Sequence, residues 1–232
     1  EPFFSVSGAP VSASDMDIIL TNASCNPAAP LATAANANIG SDPLEILSYT
    51  NPGPATTFGV VLLRSDGPNP GLMKVIDTAE TVVFDEFDTK SGASYGHPLA
   101  RGGLGVAAAY YVDTPAFGTT PPLVEESSSA GGGTILFSTS GVRLASPEQR
   151  LQPAITAPDG GDTSFFGGSD PDETGFPNFF GTSAAAPHAA GVAALMRQLK
   201  PALSPDSIYG ALKASAVDMD DPSTVGFDVG FD

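Results

Sequence analysis

Short apolar or alternating runs, set apart by turns rich in proline and glycine, dominate the first third of the chain. Asp17-Ile18-Ile19-Leu20, Leu44 to Thr50, Phe58 to Arg64 and Leu72 to Ile76 have strand length and no helical period. Between them, Asn51-Pro52-Gly53-Pro54 and Asp66-Gly67-Pro68-Asn69-Pro70 forbid helix and permit tight reversal. The pattern predicts a small, mainly antiparallel β-sandwich module over 1–80. From Thr81 the texture changes. Strand-like pieces at Thr81 to Phe84, Gly105 to Tyr111, Gly133 to Phe137 and Ile155 to Ala157 alternate with long glycine-rich loops, and two helices close the pattern. The first covers Ser183 to Leu199 and is rich in alanine. The second opens at Ser204-Pro205-Asp206, which supplies an N-cap hydroxyl, a proline at the first helical position and an acid in the first turn; it continues through Ile208, Leu212 and Ala216. Strands feeding terminal helices predict α/β organisation over 81–232.

Composition narrows the class of partner. A net charge of −17 repels phosphate backbones and anionic headgroups, so neither nucleic acid nor a membrane surface is expected to bind. At 41% hydrophobic the chain has enough apolar material for a core, and no run of eighteen apolar residues suggests a membrane span. The residues at the start, Glu1-Pro2-Phe3-Phe4-Ser5, show no basic start or apolar stretch, so no export address is expected within this chain. The single cysteine, Cys25, has no internal disulfide partner, and no Cys/His spacing offers a zinc site. Asn22-Ala23-Ser24 is formally a glycosylation acceptor. Asp15, Asp17 and Asp42 are the candidates for calcium, but without EF-hand spacing they read as solvated turn residues, and no cofactor or metal is expected.

One segment carries chemistry. Phe180-Gly181-Thr182-Ser183-Ala184-Ala185-Ala186-Pro187-His188-Ala189-Ala190-Gly191 puts a glycine at a sharp turn, a serine at the mouth of a helix and small residues along it. A hydroxyl placed there has its own backbone N–H and the positive end of the helix dipole beside it, an arrangement suited to stabilising a developing oxyanion. A bare G-T-S triplet would be read as a helix cap; the twelve-residue string says more. It resembles the nucleophile motif of subtilases, the subtilisin/kexin-like serine peptidases, G-T-S-x-A-x-P-H-x-A-G-x-A-A-L, and every fixed position is met through Leu195. Gln152 to Pro158 resembles the family's K-P-D-I-x-A-P-G, with Asp159 standing where that pattern has glycine. Gly105 to Ala109, Glu126 to Gly131 and Pro201 to Ala216 resemble its core strand, its F-S-S-x-G turn and its L-S-P helix.

The resemblance implies the C-terminal part of a subtilisin-like parallel-sheet domain, secreted, acting on protein or peptide substrates through an acyl-enzyme. Ser183 would be the nucleophile, and Ser183 and Thr182 would supply oxyanion donors. The rest of the family's triad and its oxyanion asparagine belong upstream of such a serine, and no D-[ST]-G or H-G-[TH]-H context occurs here. His188 lies along the helix from Ser183 and reads as structural. His97 and Pro98 fall where subtilases carry an aromatic-proline dipeptide at the edge of the specificity pocket, with a cis bond, so that a cis His97–Pro98 bond is expected. The chain by itself is then expected to be inactive, since loss of the base alone costs subtilisin on the order of 10⁶ in turnover. The missing N-terminal half would be a partner, or the uncovered sheet would self-associate. Residues 1–80 more loosely resemble the small β-sandwich modules of secreted bacterial peptidases, which would make them an insertion. Two alternatives stay open: a non-catalytic binding or structural module on a degenerate peptidase scaffold, and a sedolisin-like enzyme whose base is a carboxylate, against which Pro187-His188 counts.

Overall fold

The computed structural model describes residues 12–217 apart from 79–81, 88, 90, 166 and 167, together with Met219. The chain divides into two compact units, one comprising the described residues of 1–75 with 135–148, the other those of 76–134 with 149–232.

In the first unit, β1 (Asp15–Asn22) pairs antiparallel with the short β2 (Ala32–Ala34) on one side and with β3 (Phe58–Asp66) on the other. The register sets Ile19 opposite Thr33 and Val61. Alternation then buries Ile19 and Thr21 on one face, where the Thr21 hydroxyl donates to the Gly59 carbonyl at 3.2 Å. Asn38, also buried, ties the loop beyond β2 to the sheet: its Oδ1 accepts the Met16 N–H at 3.0 Å, and its own N–H donates to Asp15 Oδ1 at 2.9 Å. Asp17 accepts from the Ser65 hydroxyl. Two of the three aspartates considered for calcium thus give oxygens to the sheet's own hydrogen bonds, and among the described residues no group of three or more His, Cys, Asp or Glu side chains could hold a metal ion.

Two expected strands are absent. Leu44 to Thr50 and Leu72 to Ile76 join no ladder, and Ile46 and Leu72 are about three-quarters exposed. Their apolar alternation has no partner to face. Thr81 lies outside the described residues, and 82–84 form no strand.

In the second unit, β4 (Val106–Tyr110) and β7 (Ile155–Asp159) form a two-stranded parallel pair with Ala108 opposite Ala157 and Tyr110 opposite Asp159. Between them in sequence, β5 (Gly133–Phe137) and β6 (Arg143–Arg150) make a hairpin closed by the Ser138 N–H on the Val142 carbonyl at 2.8 Å, and residues 135–148 of it belong to the first unit. Two-residue strands β8 (Gly161–Asp162) and β9 (Asn178–Phe179) pair antiparallel and bring the chain back beside the end of β7. The helices are α1 (Thr182–Leu199) and α2 (Pro205–Ser215). The resulting α/β arrangement covers both faces of the parallel pair, as parallel strands require. On one face Ala108, Ile155 and Ala157 pack against Ala185 and Ala189 of α1; on the other lie Ala107, Ala109, Val124 and Met219. Alanine on both sides of the first contact lets helix and strand backbones approach closely. Further along the same side of α1, Val192, Leu195 and Leu199 are exposed. Ser204 caps α2 by accepting the Ser207 N–H at 3.2 Å, as its sequence position predicts. Among the described residues no helix is long and apolar enough to cross a membrane.

The His97–Pro98 bond is trans, contrary to expectation; among the described residues, cis bonds precede Pro121 and Pro153. His97–Leu99 is instead a single 3₁₀ turn, with the Leu99 N–H on Gly96 O at 3.1 Å and the Ala100 N–H on His97 O at 3.0 Å, and a helical turn runs through trans peptides.

Candidate functional site

The turn into α1 is built around Gly181, whose φ of 88° and ψ of 173° lie in a region essentially reserved for glycine. That backbone lets the chain leave β9 and enter the helix within Phe180-Gly181-Thr182. Ala184 and Ala185 donate their N–H groups to the Gly181 carbonyl at 2.9 and 3.2 Å, which closes the first turn. The N–H groups of Thr182 and Ser183 find no acceptor among the described residues. They are the ordinary orphan donors of a helix start, and they carry its positive end. Ser183 is exposed. Pro187, inside α1, has no N–H to offer the Ser183 carbonyl four residues back, so that carbonyl also lacks its usual helical partner. His188 Nδ1 lies 3.0 Å from the Ala184 carbonyl, a contact along the helix that fits the structural role read from sequence.

No side chain caps α1. In place of a cap, Asp159 at the end of β7 accepts the Gly181 N–H through Oδ2. The carboxyl is fully buried. Burial pushes its pKa up, while the Gly181 N–H and a hydrogen bond with Glu125 pull the other way. Next along the chain, Gly160 turns at φ 72° directly beneath the Tyr110 ring, and its N–H donates to Phe179 O at 2.8 Å. Tyr110 in turn packs on Phe180, with ring centroids 5.3 Å apart, just before the Gly181 turn.

A second polar group braces the same loop. Asn178 Nδ2 donates to the Gly160 carbonyl at 2.7 Å and to Asp172 Oδ2 at 3.0 Å, and the Tyr111 hydroxyl donates to the same Asp172 oxygen at 2.8 Å. These bonds lower the Asp172 pKa, Asn178 foremost, and the bond to Asp172 is the main cause that pushes the Tyr111 hydroxyl up to about 12. Asp170 accepts the N–H groups of Thr174 and Gly175 at 3.1 and 3.0 Å and so folds the loop on itself.

Of the residues singled out in sequence, Ser183 and Thr182 lie together at this helix mouth. His97 and Pro98 are exposed on the separate 3₁₀ turn, and neither His97, His188 nor any carboxylate forms a hydrogen bond with the Ser183 hydroxyl among the described residues. Sequence reasoning passed over Glu125, Tyr111, Asp172 and Asn178. It registered Asp159 only as a departure from pattern, which was the one available signal.

The model of the subtilase family matches residues 88–231, more than half of the chain and the whole of the site just described. The chain belongs to the subtilase family. It is similar to a subtilisin-like protease of Arabidopsis thaliana, SBT1.9, with 49% identity over 53 residues, which is 23% of this chain and 7% of that protein. The chain therefore spans a small part of that relative's length. No solved structure matches it. The matched region corresponds to the C-terminal part of a subtilase, and Ser183 at the mouth of α1 lies within it.

Proposed function

We propose that this chain is the nucleophile-bearing part of a secreted subtilisin-like serine endopeptidase. Ser183 Oγ gives its proton to the upstream base and attacks the scissile carbonyl, the Ser183 N–H donates to the oxyanion with Thr182 beside it, the C–N bond breaks as the amine leaves with that proton, and water hydrolyses the acyl-enzyme to release the acid and restore the serine hydroxyl. The observation that carries the reading is an exposed Ser183 at a helix start whose first two N–H groups are free, on a glycine turn held by Asp159. The acid, the base and the oxyanion asparagine come from residues upstream, so the 232-residue chain alone is inactive. His97 and Pro98 border the pocket for the substrate side chain, in trans geometry. Residues 1–80 are a β-sandwich insertion that includes the β2-β1-β3 sheet, and the exposed stripe of α1 is where the upstream half, or a second copy, packs.

A fluorophosphonate probe tests this reading. It should label Ser183 in a protein extended upstream to include the acid and base, lose that labelling on Ser183→Ala, and leave the 232-residue chain unlabelled. Labelling of the short chain would mean that a base lies within it. An extended protein that never reacts would favour a scaffold without catalysis.

A further inference from the structure

Asp159 occupies the place where the subtilase pattern has glycine, and it is a carboxylate in full burial. One of its oxygens, Oδ2, holds the Gly181 N–H. The other, Oδ1, is buried and meets no N–H or O–H donor among the described residues. An orphaned buried oxygen costs about 1–3 kcal/mol, and such a group calls for an explanation. The neighbour within hydrogen-bonding reach is Glu125. Its place is fixed by its own N–H on the Ala108 carbonyl at 2.9 Å, in the middle of β4, and by the Ser127 hydroxyl, which donates to Glu125 Oε2 at 3.2 Å. Two carboxylates this close cannot both be charged at low cost. A single proton between them removes the repulsion and gives Oδ1 the donor it lacks.

We propose that Glu125 and Asp159 share one proton and act together as positioning residues for the nucleophile turn, Glu125 donating to Asp159 and Asp159 accepting from both Glu125 and Gly181. The pair holds Gly181, and Gly181 sets the direction of the Thr182 and Ser183 N–H groups. Its catalytic meaning rests on reading Ser183 as the nucleophile; the pair itself does not.

The surroundings agree on which partner carries the proton. Burial, the hydrogen bond to Asp159 and the charge of Asp159 hold the Glu125 carboxyl up to about 7, and Asp113 acts in the same direction. Burial raises Asp159 as well, and the Gly181 N–H and the hydrogen bond with Glu125 act against it in favour of the Asp159 anion. The groups that face the pair from neighbouring elements are Tyr110, opposite Asp159 in register, with Asp113 and Asp172. The Tyr110 hydroxyl is itself pushed up, by burial first and then by these acids, so it stays neutral while the pair titrates.

The test is an NMR titration of the ¹⁵N-labelled 232-residue chain between pH 5 and 9, following the Gly181 amide. The expected result is an inflection at Gly181 near pH 7 with an unchanged far-UV spectrum, and its loss in Glu125→Gln, whose amide still donates to Asp159 but cannot ionise. Asp159→Asn should also abolish the inflection; Glu125→Gln, nearly isosteric, keeps the test decisive if that variant folds poorly. A Gly181 amide that stays flat in the unmodified chain, or an inflection that persists in Glu125→Gln, overturns the proposal. The readout needs no activity, so a missing fluorophosphonate reaction in the extended protein would sink the nucleophile reading and leave the pair standing, and the converse holds.

Discussion

Three glycines near the site separate two costs that usually arrive together. Gly161 has an ordinary φ and open space where a Cβ would go; Gly181 has open space but a φ of 88°; Gly160 has a φ of 72° and would set a Cβ 2.4 Å from two atoms of the Tyr110 ring and 3.0 Å from Phe180. Gly161→Ala therefore carries no steric penalty and should change stability by less than about 1 kcal/mol, on the stabilising side through the restricted unfolded chain. Gly181→Ala should cost about 1–3 kcal/mol from backbone conformation alone. Gly160→Ala should cost the left-handed term, about 1–2 kcal/mol, plus an overpacking term of about 1–3 kcal/mol, since the added methyl would meet the Tyr110 ring and also Phe180, which packs on that ring. Urea unfolding of the four proteins, with m-values compared, reads the differences. Repeating Gly160→Ala in a Tyr110→Ala background should recover only the overpacking part. If Gly160→Ala costs the same within about 0.5 kcal/mol with or without the Tyr110 ring, the ring contact is not what demands glycine there.

Two further outcomes are expected. Ser204→Ala should destabilise the chain by about 1 kcal/mol in the same unfolding assay, and Ser204→Asp should restore most of the loss, because a carboxylate can accept the Ser207 N–H. Stability should fall as pH rises from about 4.5 to about 7, because over that window the folded chain keeps the Glu125 proton that the unfolded chain has already lost. Self-repulsion at a net charge of −17 adds a slope of the same sign, so the Glu125 part is read as the difference from Glu125→Gln, and parallel stability–pH curves for the two proteins would refute it.

Elements whose signal is local were legible in the sequence. β4 and β7 show as short runs of strand length, α2 begins at the serine and proline that predict it, and Ser183 was placed at a helix mouth by the spacing of its motif. The errors have one physical root. A strand is completed by a partner that its own pattern does not contain, so Leu44 to Thr50 and Leu72 to Ile76 carried the right alternation and found nothing to pair with. Likewise Glu125 and Asp159 acquire meaning only through a backbone bond to Ala108 and a register opposite Tyr110, contacts that link distant parts of the chain. The trans His97–Pro98 bond follows from a local 3₁₀ turn that a dipeptide match does not specify.

The alanine contact between α1 and the parallel pair also limits how this region can evolve. Of Ala108, Ala157, Ala185, Ala189 and Ile155, only the isoleucine can be trimmed; at the other four, every replacement except glycine adds atoms to a space that has none to spare. Sequence drift there is tightly limited, because an enlargement on the helix can be offset on the strands only by trimming Ile155. The distance between the two backbones is thereby inherited as a fixed quantity, and with it the height at which Ser183 stands above the end of the strands, whatever changes accumulate on the exposed stripe of the same helix.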